Sequence, residues 1–240
     1  MPTLFISDLH LKPEVPHLCR ILLEWLSGPA AAADAVYVLG DLFEAWPGDD
    51  AGADPFNARI IDAFRALTSR GVPLYFQHGN RDFLLGGEFA RATGGALLAE
   101  ELVVDLYGTP ALLMHGDQLC TDDLAYQKFR AQVRDPAWQL GLLRQPLAAR
   151  KHLAQQMRQG SDTAKSAKSM DIMDVNAEAV AAAFRRNDVR RLIHGHTHRP
   201  ARHIHSVDEH NCERIVLADW RVAGAYLEVG SDGCVAHTIE

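Results

Sequence analysis

Leu4-Phe5-Ile6-Ser7-Asp8-Leu9-His10 is an apolar run that ends in a cluster of potential ligands, and the same figure recurs four more times along the chain. Residues 36–39 lead into Gly40-Asp41, and 74–77 into His78-Gly79-Asn80-Arg81-Asp82. Residues 111–114 lead into His115-Gly116-Asp117, and 191–193 into His194-Gly195-His196-Thr197-His198. Short apolar runs separated by helical patterns predict an α/β arrangement. In open α/β sheets the carboxyl ends of the strands form the ligand crevice. Five strands that deliver Asp, His and Asn to one edge therefore converge on a single site.

The strands predicted around these runs are 4–7, 36–39, 74–77, 102–106, 111–114, 191–193, 215–217 and 225–229. Helices are predicted at 16–26, 55–69 and 177–186, the last two opened by the N-cap residues Asp54 and Asn176. Trp46 and Trp220 read as packing residues, His78 as a strand end that supports a turn, and Asp49-Asp50 as a polar turn. His203, His205, His210 and His237 read as surface residues.

The 240 residues are 48% hydrophobic and 23% charged, which excludes a disordered or collagen-like chain. A net charge of −7 argues against a general nucleic-acid binder. No apolar run reaches the ~18 residues of a membrane span, and a first stretch without a basic region predicts no secretory leader. Cys19, Cys120, Cys212 and Cys234 lie far apart, so neither a disulfide framework nor a thiolate zinc cage is expected, and a reducing compartment is the default.

Residues 122–170 differ from the rest. They contain no strand pattern, and Pro136, Pro146 and Gly160 divide helix-like pieces. They carry nine Lys/Arg against four acids, a balance of +5, where the remainder of the chain is −12. This reads as a helical cap inserted within a single domain spanning 1–240 and facing an anionic substrate or membrane. Its alternative is a solvated helical hairpin with scattered charge.

The ligand types match metal chemistry. Asp8 and His10, two apart on an extended segment, are expected to point the same way, and His194 and His196 to repeat that geometry. Asp8, His10, Asp41, Asn80, His115, His194 and His196 are more ligands than one ion needs. If one carboxylate bridges, they divide into two groups of four. Two metals roughly 3.5–4 Å apart clamp both ends of an in-line phosphoryl displacement. Nitrogen and oxygen donors without thiolate suit Mn²⁺ or Fe²⁺, with Zn²⁺ as a further option. Asp82 and Asp117 are placed to orient ligand histidines, and His198 and Arg199 to lie behind the ligands or face phosphate. Each piece alone is weak; a single G-N or G-D is commonly a turn. Their order, each after an apolar run, carries the reading.

That order, D-x-H, G-D, G-N-x-D, H-G-D and G-H-x-H, resembles the calcineurin-like metallophosphoesterases. The resemblance implies an αββα sandwich with a dinuclear centre. One metal would take Asp8, His10, Asp41 and His196; the other would take Asp41, Asn80, His115 and His194, with Asp41 bridging. Two Mn²⁺ are expected, with Fe²⁺, Zn²⁺ or Mg²⁺ as substitutes. Arg81 stands where that superfamily usually has His. Arg81, residues 39–46, 115–123 and 169–176, and His194-Gly195-His196-Thr197-His198-Arg199-Pro200 together look like one branch, which hydrolyses UDP-2,3-diacylglucosamine in bacterial lipid A synthesis. The likeness covers nearly the whole chain, the helical insertion included. It implies substrate contacts at Asn80, Arg81, Asp123, Ser161, Lys165, Lys168 and His194, with Arg81 catalytic through its phosphate-gripping fork. Lys165 and Ala218 depart from the branch pattern, which has Asn and Gly there. The acyl chains are expected against 137–143 and 147–149, and Arg150 and Lys151 against anionic lipid. The expected partners are the lipid-linked UDP-sugar and an anionic membrane, with no nucleic acid and no obligate protein. The expected place is the cytoplasmic face of the bacterial inner membrane.

Overall fold

The computed structural model describes residues 1–166 and 174–240, with the backbone alone over 161–166. Two sheets stack face to face. The first has the order β11 (Gly233–Ile239), β10 (Gly224–Gly230), β1 (Thr3–Ile6), β2 (Ala35–Leu39), β3 (Leu74–Gln77) and β4 (Ala96–Leu97). The second has the order β5 (Leu102–Leu106), β6 (Thr109–Leu113), β7 (Arg191–His194), β9 (His210–Val216) and β8 (Ala201–Val207). The pairs β1–β2, β2–β3, β6–β7 and β7–β9 run parallel. Their carboxyl ends therefore open on one edge.

Alternation along each strand builds three apolar layers from one sequence pattern. Leu4 and Ile6 of β1 face α1 (Pro16–Ser27) and α2 (Pro55–Thr68), whereas Phe5 faces the other sheet. Leu113 of β6 meets Phe5 and Leu39 between the sheets, whereas Leu112 packs against Val180, Ala183 and Phe184 of α7 (Ala177–Asn187). Burial on both faces explains why the strands read as unbroken apolar runs. The result is the αββα sandwich, with α3 (Gly87–Thr93) on the α1–α2 side.

Three strands lacked a signal. Ala201–Val207 and Gly233–Ile239 are edge strands with Arg, His and Thr among their residues, and Ala96–Leu97 is only two residues long. Helix α3 was also unmarked. Its start is held by Asp49, whose carboxylate accepts from the Gly86, Glu88 and Phe89 N–H groups and from Trp46 Nε1. Asp49 and Asp50 do open a short 3₁₀ turn, Asp49–Ala53, and from it Asp49 anchors α3. Asn176 caps α7 through the Glu178 and Ala179 N–H groups. Asp54 makes no such bond at α2; its carboxylate pairs with Lys151 Nζ at 2.6 Å instead.

The helical segment comprises α4 (Leu124–Val133), α5 (Pro136–Leu143) and α6 (Leu147–Ser166). Proline opens α5, but α6 runs through Gly160 without a break. Arg150 is 5% exposed and binds Asp50, Pro47 O and Gln145 O. Arg150 and Lys151 therefore tether α6 to the 47–54 region; Arg150 is buried and not offered to lipid, whereas Lys151 stays half-exposed beside Asp54.

Candidate metal centre

The chain turns sharply as it leaves each strand. Asp8, His10, Asp41, His196 and His198 all adopt positive φ, between 48° and 65°. Such conformations cost non-glycine residues free energy and persist only where the surroundings fix them. Here the surroundings are specific. Asp8 N–H donates to Gly40 O and His10 N–H to Asp41 O. The Asp82 carboxylate accepts from the Asp41, Leu42 and Gly79 N–H groups. A Cβ on Gly79 would lie 2.0 Å from Asp41 Oδ1, and one on Gly195 2.1 Å from Asp8 Oδ2, so only glycine lets these loops close up. Asp8 and His10 thus meet through left-handed backbone beyond the end of β1, not through strand alternation.

Six of the seven candidate ligands are gathered. His10 Nε2 lies 4.0 Å from Asp8 Oδ1 and 3.8 Å from Asp41 Oδ2. His115 Nε2 lies 3.8 Å from Asp41 Oδ1 and 3.2 Å from Asn80 Oδ1, which is also 2.9 Å from His196 Nδ1. Within this cluster two sets of donor atoms come together tightly: Asp8, Asp41 and His115, and Asp8, His10 and His198. His198 therefore stands among the candidate ligands, its Nε2 3.4 Å from Asp8 Oδ1 and its Nδ1 3.2 Å from Asp219. His194 is turned away: Nδ1 is 2.8 Å from Gly195 O and Nε2 is 3.1 Å from the buried guanidinium of Arg214. Arg214 also binds His205, which is half-buried rather than a surface residue.

Asp82 and Asp117 do not orient histidines. Main-chain carbonyls do: Leu39 O fixes His115 Nδ1 at 2.8 Å. Asp117 instead accepts from Tyr126 Oη and Arg130 Nε, both at 2.9 Å.

The electrostatics favour cations. Burial and the neighbouring Asp82 and Asp8 carboxylates push the Asp41 carboxyl up to about 6, against the pull of His115 and Arg81. Burial alone would also raise Asp8, but His198, His115 and His10 hold it below the usual carboxylate range. Burial keeps His10 and His196 neutral, each lowered to about 3, which leaves lone pairs available. Asp8 Oδ1 and His10 Nδ1 are buried with no hydrogen-bond partner. Two buried carboxylates, the neutral imidazoles of His10 and His196 and an oxygen without a hydrogen bond fit divalent metal. Against burial, the carboxylates raise His115 and push His198 up to about 9, a cationic load that a metal would take over.

A cavity of about 840 Å³ opens from this cluster. Its lining combines the polar His10, Asp41, Asn80, Arg81, Asp123, His196 and His198 with the apolar Trp46, Phe83, Phe129, Leu142, Leu153 and Met157. Of the two stretches expected against acyl chains, 137–143 contributes Leu142, and 147–149 contributes nothing to the wall. The side chains of Ser161 and Lys165, and all of Lys168, lie outside the described residues.

Sequence reasoning passed over Glu44, Tyr126, Arg130 and Arg134. Tyr126 lies over His196 with ring centroids 5.7 Å apart. Arg134 Nη2 donates to His78 O and Gly79 O. Arg130 and Arg134 were counted only as charge, although a spacing of four places both on one helix face.

Comparison with known proteins gives three findings. A model of the calcineurin-like phosphoesterases matches residues 1–200. Proteins called UDP-2,3-diacylglucosamine hydrolase from Salmonella agona and Escherichia coli O139:H28 are each 50% identical over 232 residues, 97% of this chain and 96% of theirs. A solved archaeal phosphodiesterase overlays all of both chains with TM-score 0.50 at 11% identity, a likeness of fold.

Proposed function

The chain belongs to the calcineurin-like phosphoesterase family, and from that premise we propose that it hydrolyses the pyrophosphate bond of UDP-2,3-diacylglucosamine. The products are UMP and 2,3-diacylglucosamine 1-phosphate, formed by attack of water on the phosphorus nearer uridine. The observation that carries this is one cavity joining the carboxylate–histidine cluster to a wall of Phe83, Phe129, Leu142, Leu153 and Met157. A substrate with a pyrophosphate at one end and acyl chains at the other suits such a space. The 50% identity to hydrolases of that name supports the same substrate.

Two Mn²⁺ are the proposed cofactors. Asp8, His10, Asp41, Asn80, His115 and His196 would hold them; His194, whose Nε2 lies against Arg214, would join as the seventh ligand only by turning its imidazole toward the cluster. Bound divalent cations neutralise phosphate charge and lower the pKa of water to near 7. The chain's own residues do the rest. Arg81, on the cavity wall beside Asn80, offers a planar fork to phosphate oxygens as charge moves to the leaving sugar phosphate. Asp123 contacts the polar part of the substrate, with Ser161, Lys165 and Lys168 as further contacts. Residues 122–170 act as a cap, with α5 and α6 receiving the acyl chains. Leu124, Leu140 and Leu143 are exposed on this segment and suit peripheral contact with anionic membrane at the cytoplasmic face of the inner membrane. Among the described residues no helix is long and apolar enough to cross a membrane.

Product analysis by mass spectrometry after hydrolysis in ¹⁸O water tests the reading. Label in UMP supports it. Label in the sugar phosphate places the attack on the other phosphorus. Cleavage of lipid-free nucleotides with none of the diacyl substrate makes the chain a soluble nucleotide pyrophosphatase instead.

A further inference from the structure

Glu44 follows the Gly40-Asp41 turn and is fixed by main chain. Its N–H donates to Leu11 O at 3.1 Å, and Leu11 pairs with Phe43 as an isolated bridge. The carboxylate so placed is 14% exposed and sits on the cavity wall. Oε1 is 3.9 Å from Arg81 Nε and forms an ion pair with Arg158. Oε2 is 3.7 Å from Lys12 Nζ and 3.9 Å from His10 Nδ1. Three basic side chains thus converge on one carboxylate, two of them, Arg81 and Arg158, on the cavity wall.

The two arginines come from different parts of the molecule. Arg81 sits on the loop after β3 that carries Asn80, and Arg158 on α6. At 3.9 Å the contact with Arg81 is coulombic attraction rather than a hydrogen bond. The guanidinium fork has five donors, and a single carboxylate oxygen at that distance leaves most of them unused. A phosphate group offers more acceptor oxygens and more charge, and bidentate pairing with arginine is stronger than this contact.

We propose that Glu44 is a positioning residue that stands in for a phosphate: it holds Arg81 and Arg158 aimed into the cavity and releases both guanidinium groups to a substrate phosphate. Lys12 remains beside Glu44 to match its charge after the exchange. Because Arg158 belongs to α6, the same carboxylate couples that helix to the Asn80–Arg81 loop. The proposal rests on the reading of this cavity as a phosphoester site, not on the identity of the lipid.

The test uses the full chain loaded with Mn²⁺ and inorganic phosphate as the probe. Calorimetry should show Glu44→Gln binding phosphate about fivefold more tightly than the unsubstituted protein, the size of one partly exposed ion pair removed from competition. Turnover of bis-p-nitrophenyl phosphate should fall in the same variant, with metal content unchanged, because Arg81 loses its aim. Glu44→Asp should recover part of both effects, and adding Arg158→Gln should erase the gain in phosphate affinity. Hydrogen exchange over 153–160 should quicken in Glu44→Gln. Phosphate affinity equal to or weaker than that of the unsubstituted protein, in a folded and fully loaded variant, overturns the proposal. Loss of metal in Glu44→Gln also overturns it, since Glu44 would then be a support for His10. A wrong lipid assignment would show separately, as failure of the unsubstituted protein to cleave UDP-2,3-diacylglucosamine, and would leave the phosphate result standing.

Discussion

At the strand ends, Asp8, His10, Asp41, His196 and His198 hang from left-handed backbone, and main-chain groups fix the loops that carry them. In α5 and α6 the backbone is regular, and α6 meets the sandwich through side-chain ion pairs such as Lys151–Asp54 and Arg158–Glu44. The first region spends conformational free energy to hold atoms in fixed places, as chemistry needs. The second offers apolar wall and adjustable contacts, as an acyl chain needs. Helix α4 lies in the same segment as α5 and α6 but sides with the first region, because Arg130 and Arg134 grip Asp117 and the 78–79 carbonyls.

The largest effects should come from the strand ends. Asp41→Ala removes the carboxylate nearest both His10 and His115, so turnover should fall on the order of 10³-fold or more, together with metal content. Near-normal turnover with Mn²⁺ in that variant would break the two-metal account. Arg81→Ala should keep its metals yet lose about 10²-fold in turnover, the scale of a lost oxyanion donor. Arg81→Lys should recover little of it, since a point charge lacks the fork; full recovery would remove the bidentate argument.

Helix α4 supplies the next test. Arg134→Gln frees the carbonyls of His78 and Gly79, and displacement of the Asn80–Arg81 loop should cost roughly tenfold in kcat/KM. The loss should be equal for the diacyl substrate and for bis-p-nitrophenyl phosphate. A loss confined to the lipid would return α4 to the acyl-binding side of the comparison. The smallest effect on chemistry belongs to Arg150. Arg150→Ala should lower stability by about 2 kcal/mol, for hydrogen bonds to a charged group, and lower Tm accordingly. It should leave hydrolysis of the small diester unchanged. Unchanged Tm with weakened binding to anionic vesicles would make Arg150 a lipid contact after all.

The strands that carry the candidate site were legible because burial on both faces writes them as continuous apolar runs, each ending at a candidate ligand. Edge strands β8 and β11 have one solvated face and long polar side chains, so Arg202, His203 and His237 hid them. Residue identity at the site was equally plain, but orientation was not. Asp8 and His10 come together through φ angles that two-residue spacing does not encode, and His194 faces Arg214, twenty positions away in sequence. Charge counting over 122–170 misread Arg150, which is buried, since a sum of charges is blind to Asp50, a hundred residues earlier. Glu44 escaped notice for the same reason: its partners lie on three separate elements.

The central claim is that the strand-end loops carry the reaction and the α5–α6 wall selects the lipid. The most direct measurement is kcat/KM of Leu153→Asp/Met157→Asp on UDP-2,3-diacylglucosamine and on bis-p-nitrophenyl phosphate, with folding and metal content checked. Each buried apolar side chain contributes about 1.5–3 kcal/mol to seating the chains, so the diacyl substrate should lose on the order of 10²-fold or more while the small diester changes less than about twofold. Equal loss on both substrates in a folded, metal-loaded variant would contradict the claim and make this wall a support for the metal centre.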